Sequence, residues 1–287
     1  MIVVKIMGGL GNQLFQYAFA LAMKEKGNSV YLDKRTWWKE IEEEGISCIK
    51  REYHLDKIKL SIRDNGIQNN FFYFFAHRFP YNLIKVLNDY IGRLTRYRIG
   101  YKLYNLEEVI EYDSEILRHY HYNCYFSGYF QSYKYFSDIS ERIKAEIQLK
   151  NNKLVELEGT EDLVTVALHI RRGDYVDLGR ALNVEYYMRG INYIIHTVKN
   201  PIFYIFTDDF KWCKMLDVPY NNVFINETKE MTDFEELIIM SKCHHFIISN
   251  STYSWWGAWL SDSPDKIVVC PDGWGNEDII PSNWIRL

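Results

Sequence analysis

Leu163 to Leu168 (LVTVAL) is an unbroken run of apolar, strand-forming residues that empties into His169-Ile170-Arg171-Arg172-Gly173-Asp174-Tyr175. A strand with no polar alternation is one buried on both faces, as in a parallel sheet. The pattern downstream repeats that rhythm. A helix is predicted from Val184 to Val198, then a strand Ile202 to Phe206 ending in Thr207-Asp208-Asp209 and a short helix to Leu216. Next come a strand Val223 to Ile225, a helix Thr232 to Lys242 opened by a Thr232-x-x-Glu235 capping box, and a strand Phe246 to Ser249. Asn250-Ser251-Thr252, a tryptophan-rich helix and a strand Ile267 to Cys270 follow. Strands alternating with helices predict a doubly wound parallel sheet. In such sheets ligands bind outside the carboxyl ends of the strands, and here each strand ends in polar residues.

The N-terminal half opens the same way: strand 2–6, the turn Gly8-Gly9-Leu10-Gly11-Asn12-Gln13, a helical stretch from Leu14 closed by Gly27, and strand Ser29 to Leu32 ending in Asp33. Tyr125 to Phe130 reads as a strand, and Ser137 to Leu149 as a helix with Ile139, Ile143 and Ile147 on one face. Residues 34–110 break the rhythm with Trp37-Trp38, the aromatic run 71–75 and the basic, tyrosine-rich stretch 93–104. Such an excursion sets specificity, packs, or touches a membrane surface. Polar residues 150–162 are the expected linker, giving domains 1–155 and 156–287.

Composition narrows the classes. The 287 residues carry a net charge of −4, so nothing points to nucleic acid, and any phosphate site must be a local basic cluster. Five scattered cysteines without a C-x-x-C pair fit neither a disulfide framework nor a zinc knuckle. Cys243-His244-His245 is better explained as a helix-to-strand junction than as a metal cluster. No apolar run approaches a membrane span and no signal peptide is evident, so the expectation is a soluble cytoplasmic protein.

The candidate chemistry lies at the strand ends. Arg171 and Arg172 suit a phosphate, because a guanidinium forks two charge-assisted hydrogen bonds and keeps its charge. Gly173 allows close backbone approach, and Asp174 serves either as a base or as an ion-pair partner of the arginines. Ser249 to Thr252, between strand and helix, form either an anion site or an ordinary N-cap. Gly9 and Gly11 meet the first two positions of the dinucleotide fingerprint but Leu14 occupies the third, which disfavours a nicotinamide or flavin cofactor. That turn, with Asn12 and Gln13, is either a plain tight turn or a ligand contact. Asp208 and Asp209 lack D-x-D spacing and are expected to cap the following helix, so no metal is expected. Glu236 either faces solvent or accepts hydrogen bonds from a guanine edge. No G-x-S-x-G, Walker A or H-E-x-x-H motif is present.

His169-Ile170-Arg171-Arg172-Gly173-Asp174-Tyr175 resembles the H-x-R-R-G-D-Y signature of the α-1,2-fucosyltransferases of glycosyltransferase family 11. GGLGNQLFQYAFA, GYFQSYKYF, FTDDFKWC and EELIIMSKCHHFIISNSTYSWWGAWL resemble that family in the same order. The resemblance implies a GT-B fold, two Rossmann-like domains whose parallel sheets face a central cleft. It also implies inverting, metal-independent transfer of fucose from GDP-β-L-fucose, a substrate and not a cofactor, to a galactose 2-hydroxyl. By motif, Arg171 and Arg172 would hold the diphosphate, with Ser251, Thr252 and their neighbour Asn250 beside it, and His169 and Glu236 would lie near guanine. The family often has Asp where Glu236 stands. Gly9, Gly11 and Asn12 would approach the donor from the N-terminal domain, and Asp174 is the candidate base. The vertebrate members carry an N-terminal anchor that this sequence does not show, which fits a bacterial cytoplasmic version. It would act on a galactose-terminated acceptor, lipid-linked where the enzyme lies peripheral to the inner membrane.

Overall fold

A computed structural model describes residues 1–34, 52–62, 102–106, 111–118, 123–148, 163–216, 218, 221–228 and 230–287. The chain divides into two compact units, Met1–Ile147 and Gln148–Leu287. The expected boundary at 155/156, the linker 150–162 and most of the aromatic and basic excursion lie outside the described residues.

The first unit is built on a four-stranded parallel sheet of order β2-β1-β4-β3, with β1 Ile2–Lys5, β2 Val30–Asp33, β3 Lys102–Leu106 and β4 Cys124–Gly128. Ile2, Val3 and Val4 are fully buried, as a central parallel strand requires. Helix α1, Leu10–Glu25, begins four residues before the expected Leu14, so Gly11 and Asn12 sit in its first turn. Propensity reads the glycine-rich start as loop; burial overrides it, since almost every residue from Leu10 to Met23 is buried. Phe19 stacks on Phe130 at 4.0 Å and meets Phe126 and Tyr135 edge-on, fixing α1 against β4 and the segment after it. Gly27, at φ +83°, ends the helix where expected. The predicted helix 137–149 is shorter: a 3₁₀ turn Ser137–Ile139 leads into α2, Ser140–Glu146.

The second unit holds a six-stranded parallel sheet of order β10-β9-β8-β5-β6-β7. Its strands are β5 Val164–Ile170, β6 Pro201–Thr207, β7 Asn222–Phe224, β8 His245–Ile247, β9 Val268–Cys270 and β10 Ile285–Arg286. Numbered within the unit, the order is 3-2-1-4-5-6, the doubly wound nucleotide-binding order with its switch point between β5 and β8. The helices are α3 Gly173–Asp177, α4 Val184–Thr197, α5 Phe210–Met215, α6 Asp233–Met240 and α7 Thr252–Leu260. Tyr186, Tyr187, Ile191 and Ile194 of α4 form one core with Val166, Leu168 and Ile170 of β5. His169 belongs to the opposite face, by the alternation of the strand. There Phe234 of α6 and Trp255 and Trp256 of α7 are fully buried, and Trp255 Nε1 donates to Ile279 O at 2.7 Å. These tryptophans are core. Cys243 to His245 form the expected junction, with His244 Nδ1 accepting from Thr165 N and His245 Nδ1 from Ile267 N. Among the described residues no helix is long and apolar enough to cross a membrane.

Gly190 lets α4 lie close on the sheet: an added Cβ would stand 2.8 Å from Ile247 Cγ2. Alanine gains about 1 kcal/mol of helix propensity. Overpacking against a β-branched side chain held between strands costs about 1–3 kcal/mol and wins. Gly190→Ala is therefore expected to lower the urea midpoint by an amount worth up to about 2 kcal/mol at unchanged slope. A midpoint at or above that of the parent would contradict the close packing.

Candidate functional site

The β5–β6 register builds the site. Ile170 pairs with Thr207, so the residues that follow, Arg171-Arg172 and Asp208-Asp209, leave the sheet side by side. Asp208 takes the Arg172 backbone N–H on Oδ1 at 2.8 Å and pairs through Oδ2 with Arg171 Nη1 at 2.8 Å. Asp174, one turn further along, pairs with Arg171 Nη2 at 2.6 Å. Arg172 lies over the Trp212 ring at 4.0 Å and pairs with Asp209 at 3.2 Å. Asp209 also caps α5 through Trp212 N. The capping role expected of both aspartates thus holds for Asp209 alone. Asp208 instead ties the arginine loop to β6, a role no local pattern could reveal because its partners lie 36 residues away.

Two guanidiniums are therefore held by three carboxylates, and an incoming anion must compete for N–H groups already in use. The arginines remain partly accessible, at 28% and 18% of their side-chain surface. Gly173 is needed here because an added Cβ would fall 2.6 Å from Asp208 Oδ2.

Across the switch point, β8 delivers Ser249 and Asn250, and Ser251 is the N-cap of α7, whose first turn has no acidic residue. The Ser251 side chain does not cap the helix; the Tyr175 hydroxyl donates to Asn250 O at 3.4 Å, and its ring lies 5.5 Å from the Arg171 guanidinium. Asn250 Nδ2 donates to Arg180 O at 3.0 Å, while its Oδ1 is buried without a partner among the described residues. Thr252 opens the helix. His169 Nδ1 is 2.8 Å from Ser249 Oγ, and its ring lies 5.5 Å from that of Tyr253. Burial, reinforced by the Arg171 cation, pushes the imidazole down to about 3, so it is neutral. Glu236, on α6, accepts from Asn226 Nδ2 at 2.8 Å, and burial pushes its carboxyl up to about 7 against the pull of that hydrogen bond. Asp233 and Asp208 push in the same direction as burial. Asn226 was not singled out from the sequence; its left-handed backbone, φ +58°, also lets its side chain clasp Met231.

Arg171, Arg172, Asp174, His169, Asn250, Ser251 and Thr252 thus share one strand rim, while Glu236 stands in the first turn of α6 with Asn226 as its partner. Gly9, Gly11 and Asn12 belong to the first unit, at its own switch point between β1 and β4. The glycine with left-handed backbone there is Gly8, φ +79°, whose added Cβ would lie 2.6 Å from Asn12 Nδ2. Gln13 is structural, binding Gly8 O, Glu52 O and His54 N. Asn12 Oδ1 accepts from Gln131 Nε2 at 2.9 Å, across the switch point. Phe130, just before Gln131, holds φ +51°, a strain of about 1–3 kcal/mol for a bulky residue, and its stack on Phe19 helps to offset it. Among the described residues no three His, Cys, Asp or Glu side chains are grouped to hold a metal ion.

The anchoring role of Asp208 predicts that Gly173→Ala, which displaces it, weakens inorganic pyrophosphate binding about tenfold, the worth of one misplaced charge-assisted hydrogen bond. Stability should change by less than about 1 kcal/mol, as expected of a change at the exposed start of α3. Unchanged pyrophosphate affinity in a calorimetric titration would count against it.

Residues 83–285 match Glycosyl transferase family 11. An Escherichia coli O-antigen biosynthesis glycosyltransferase, WbnK, is 31% identical over 98% of this chain and 99% of its own. An Escherichia coli alpha-1,2-colitosyltransferase is 28% identical over 100% of this chain and 98% of its own. Among solved structures, fucosyltransferase NodZ from Bradyrhizobium superposes with a TM-score of 0.53 at 11% identity, covering 91% of this chain and 93% of that one. That likeness speaks for the fold, the GT-B class of two Rossmann-like α/β units. With family match, full-length relatives and strand-end arginines in agreement, the chain belongs to glycosyltransferase family 11 and is a glycosyltransferase.

Proposed function

We propose that the enzyme transfers L-fucose from GDP-β-L-fucose to the 2-hydroxyl of a galactose in a glycan acceptor, with inversion and without a metal ion. The observation that carries this reading is the pair Arg171 and Arg172 at the carboxyl end of β5, beside the N-terminus of α7 at the switch point. Breaking the bond from the sugar to the diphosphate builds negative charge on the leaving group. Two oriented guanidiniums and the helix N-terminus stabilise that charge and take the part a divalent cation plays elsewhere.

The ion pairs suggest an order of events. Diphosphate oxygens compete with Asp174 for Arg171, so donor binding frees the carboxylate. Asp174 then accepts the proton of the acceptor hydroxyl as its oxygen bonds to the anomeric carbon and GDP departs. Glu236 as a carboxylate accepts from guanine N1–H and N2–H₂, and His169 stands near the nucleotide. Asn250, Ser251 and Thr252 flank the phosphates, and Gly9, Gly11 and Asn12 serve the donor from the first unit. A galactose-terminated glycan on a lipid carrier, met by an enzyme peripheral to the inner membrane face, fits a full-length relative named for O-antigen biosynthesis. Transfer of a related deoxy sugar is the reading to exclude, because another full-length relative is named an alpha-1,2-colitosyltransferase.

Incubation with GDP-fucose and a β-galactoside in EDTA should give a product whose NMR spectrum shows an α-fucosyl residue on galactose O2. A different linkage, preference for another GDP-sugar, or dependence on added Mn²⁺ would overturn the proposal. Asp174→Asn is expected to slow transfer by about 10²–10⁴ while GDP still binds. Turnover near that of the parent would remove Asp174 as base.

A carboxyl group titrating near 7 must lose its proton to accept from guanine. GDP affinity should therefore fall as pH drops below 7, approaching about tenfold per unit for one linked proton. The diphosphate's own ionisation acts equally on Glu236→Gln, so the steeper slope of the parent reports Glu236. Equal slopes would contradict its role.

A further inference from the structure

His169 ends the buried part of β5 and is 5% exposed, and its proton has two possible sites. The neighbouring hydroxyls decide between them. Ser249 is fully buried, so its hydroxyl hydrogen needs an acceptor from the chain, and two are in reach: His169 Nδ1 at 2.8 Å and Ser254 Oγ at 3.5 Å. The first is an ordinary hydrogen-bond length and the second lies beyond the usual range for two hydroxyls. The Ser254 hydroxyl has its own outlets in the carbonyls of Ser251, at 3.2 Å, and Ser249, at 3.4 Å. A proton on Nδ1 would turn Ser249 Oγ into the acceptor and leave its hydrogen only the 3.5 Å contact, in a place water does not reach. With the hydrogen of Ser249 on Nδ1, both serine hydroxyls are satisfied and the ring proton stands on Nε2. Nε2 has no partner among the described residues, and the arginine loop begins two positions further on.

We propose that Ser249 locks His169 in the tautomer protonated on Nε2, making the ring a fixed, uncharged hydrogen-bond donor to an acceptor atom of the bound nucleoside diphosphate. This deepens the donor-site reading given above and rests on it. The choice of tautomer decides the sign of the contact. The acceptors of such a ligand, phosphate oxygens and the O6 and N7 of guanine, would be repelled by the lone pair that the other tautomer presents. Ser249 is accordingly a positioning residue. It acts through His169 and touches no ligand itself.

Long-range ¹H–¹⁵N spectra of the ¹⁵N-histidine-labelled protein distinguish the two tautomers, with the His169 signals assigned by their loss in His169→Gln. In the free protein the Nε2–H pattern is expected; an Nδ1–H pattern overturns the proposal whether or not any nucleotide binds. On adding GDP the Nε2 signal should shift without a change of pattern, and separate additions of inorganic pyrophosphate and guanosine show whether phosphate or base is the acceptor. GDP that binds but leaves Nε2 unmoved also overturns it. Failure of GDP to bind the parent protein at all would instead strike the donor-site reading, leaving the tautomer measured on its own.

Glutamine places an N–H₂ where Nε2 stands, so His169→Gln should keep GDP affinity within about threefold while His169→Leu loses about tenfold or more, the worth of one hydrogen bond to a charged group. Equal losses in the two variants contradict a donor at Nε2. Ser249→Ala should mix the tautomers and weaken GDP about three- to tenfold, with kcat at saturating donor nearly unchanged.

Discussion

Adjacent residues leaving a strand point to opposite sides, so two neighbouring arginines cannot be steadied by one partner. Arg171 and Arg172 meet that constraint through the strand beside them. The pairing of Ile170 with Thr207 sets Asp208 and Asp209 level with the arginines, and each takes one. Asp174 adds a second hold on Arg171, and the Trp212 ring a second on Arg172. Long cationic side chains lose much rotamer freedom when ordered. Ordering them beforehand means that an anion reaching this rim would meet oriented donors and need only displace a carboxylate.

The rest of the second unit serves this arrangement. β5 carries the arginines because it is buried on both faces and central to the sheet, with α4 on one side and α6 and α7 on the other. The switch point puts the N-terminus of α7 beside them. The first unit repeats the scheme with amides in place of charges, Asn12 and Gln131 meeting across its own switch point behind the left-handed turn at Gly8. The second unit thus carries fixed positive charge at its switch point, and the first carries neutral hydrogen-bonding groups at its own.

Periodicity made the regular elements legible. α4, the Thr232–Glu235 capping box and Gly27 stand as their residues predict, since each follows from a local pattern. What escaped depends on distant partners. The start of α1 reads as loop because glycines are poor helix formers, and only burial makes it helical. Asp208 looks like a cap until the β5–β6 register is known, and the bond of Ser249 to His169 joins residues 80 apart. Of the site, the residue types and their strand-end placement were readable. Which carboxylate holds which arginine, and what raises Glu236, were not.

The central claim is that Arg171 and Arg172 form a diphosphate clamp. Calorimetric titration of the protein and of Arg171→Ala with GDP and with guanosine, in EDTA, tests it most directly. Two charge-assisted hydrogen bonds are worth about 3–6 kcal/mol, so GDP should bind the parent about 10²–10⁴ times more tightly than guanosine. Most of that advantage should vanish in the variant. Equal affinities for the two ligands, or a variant that keeps the full preference for GDP, would contradict the account.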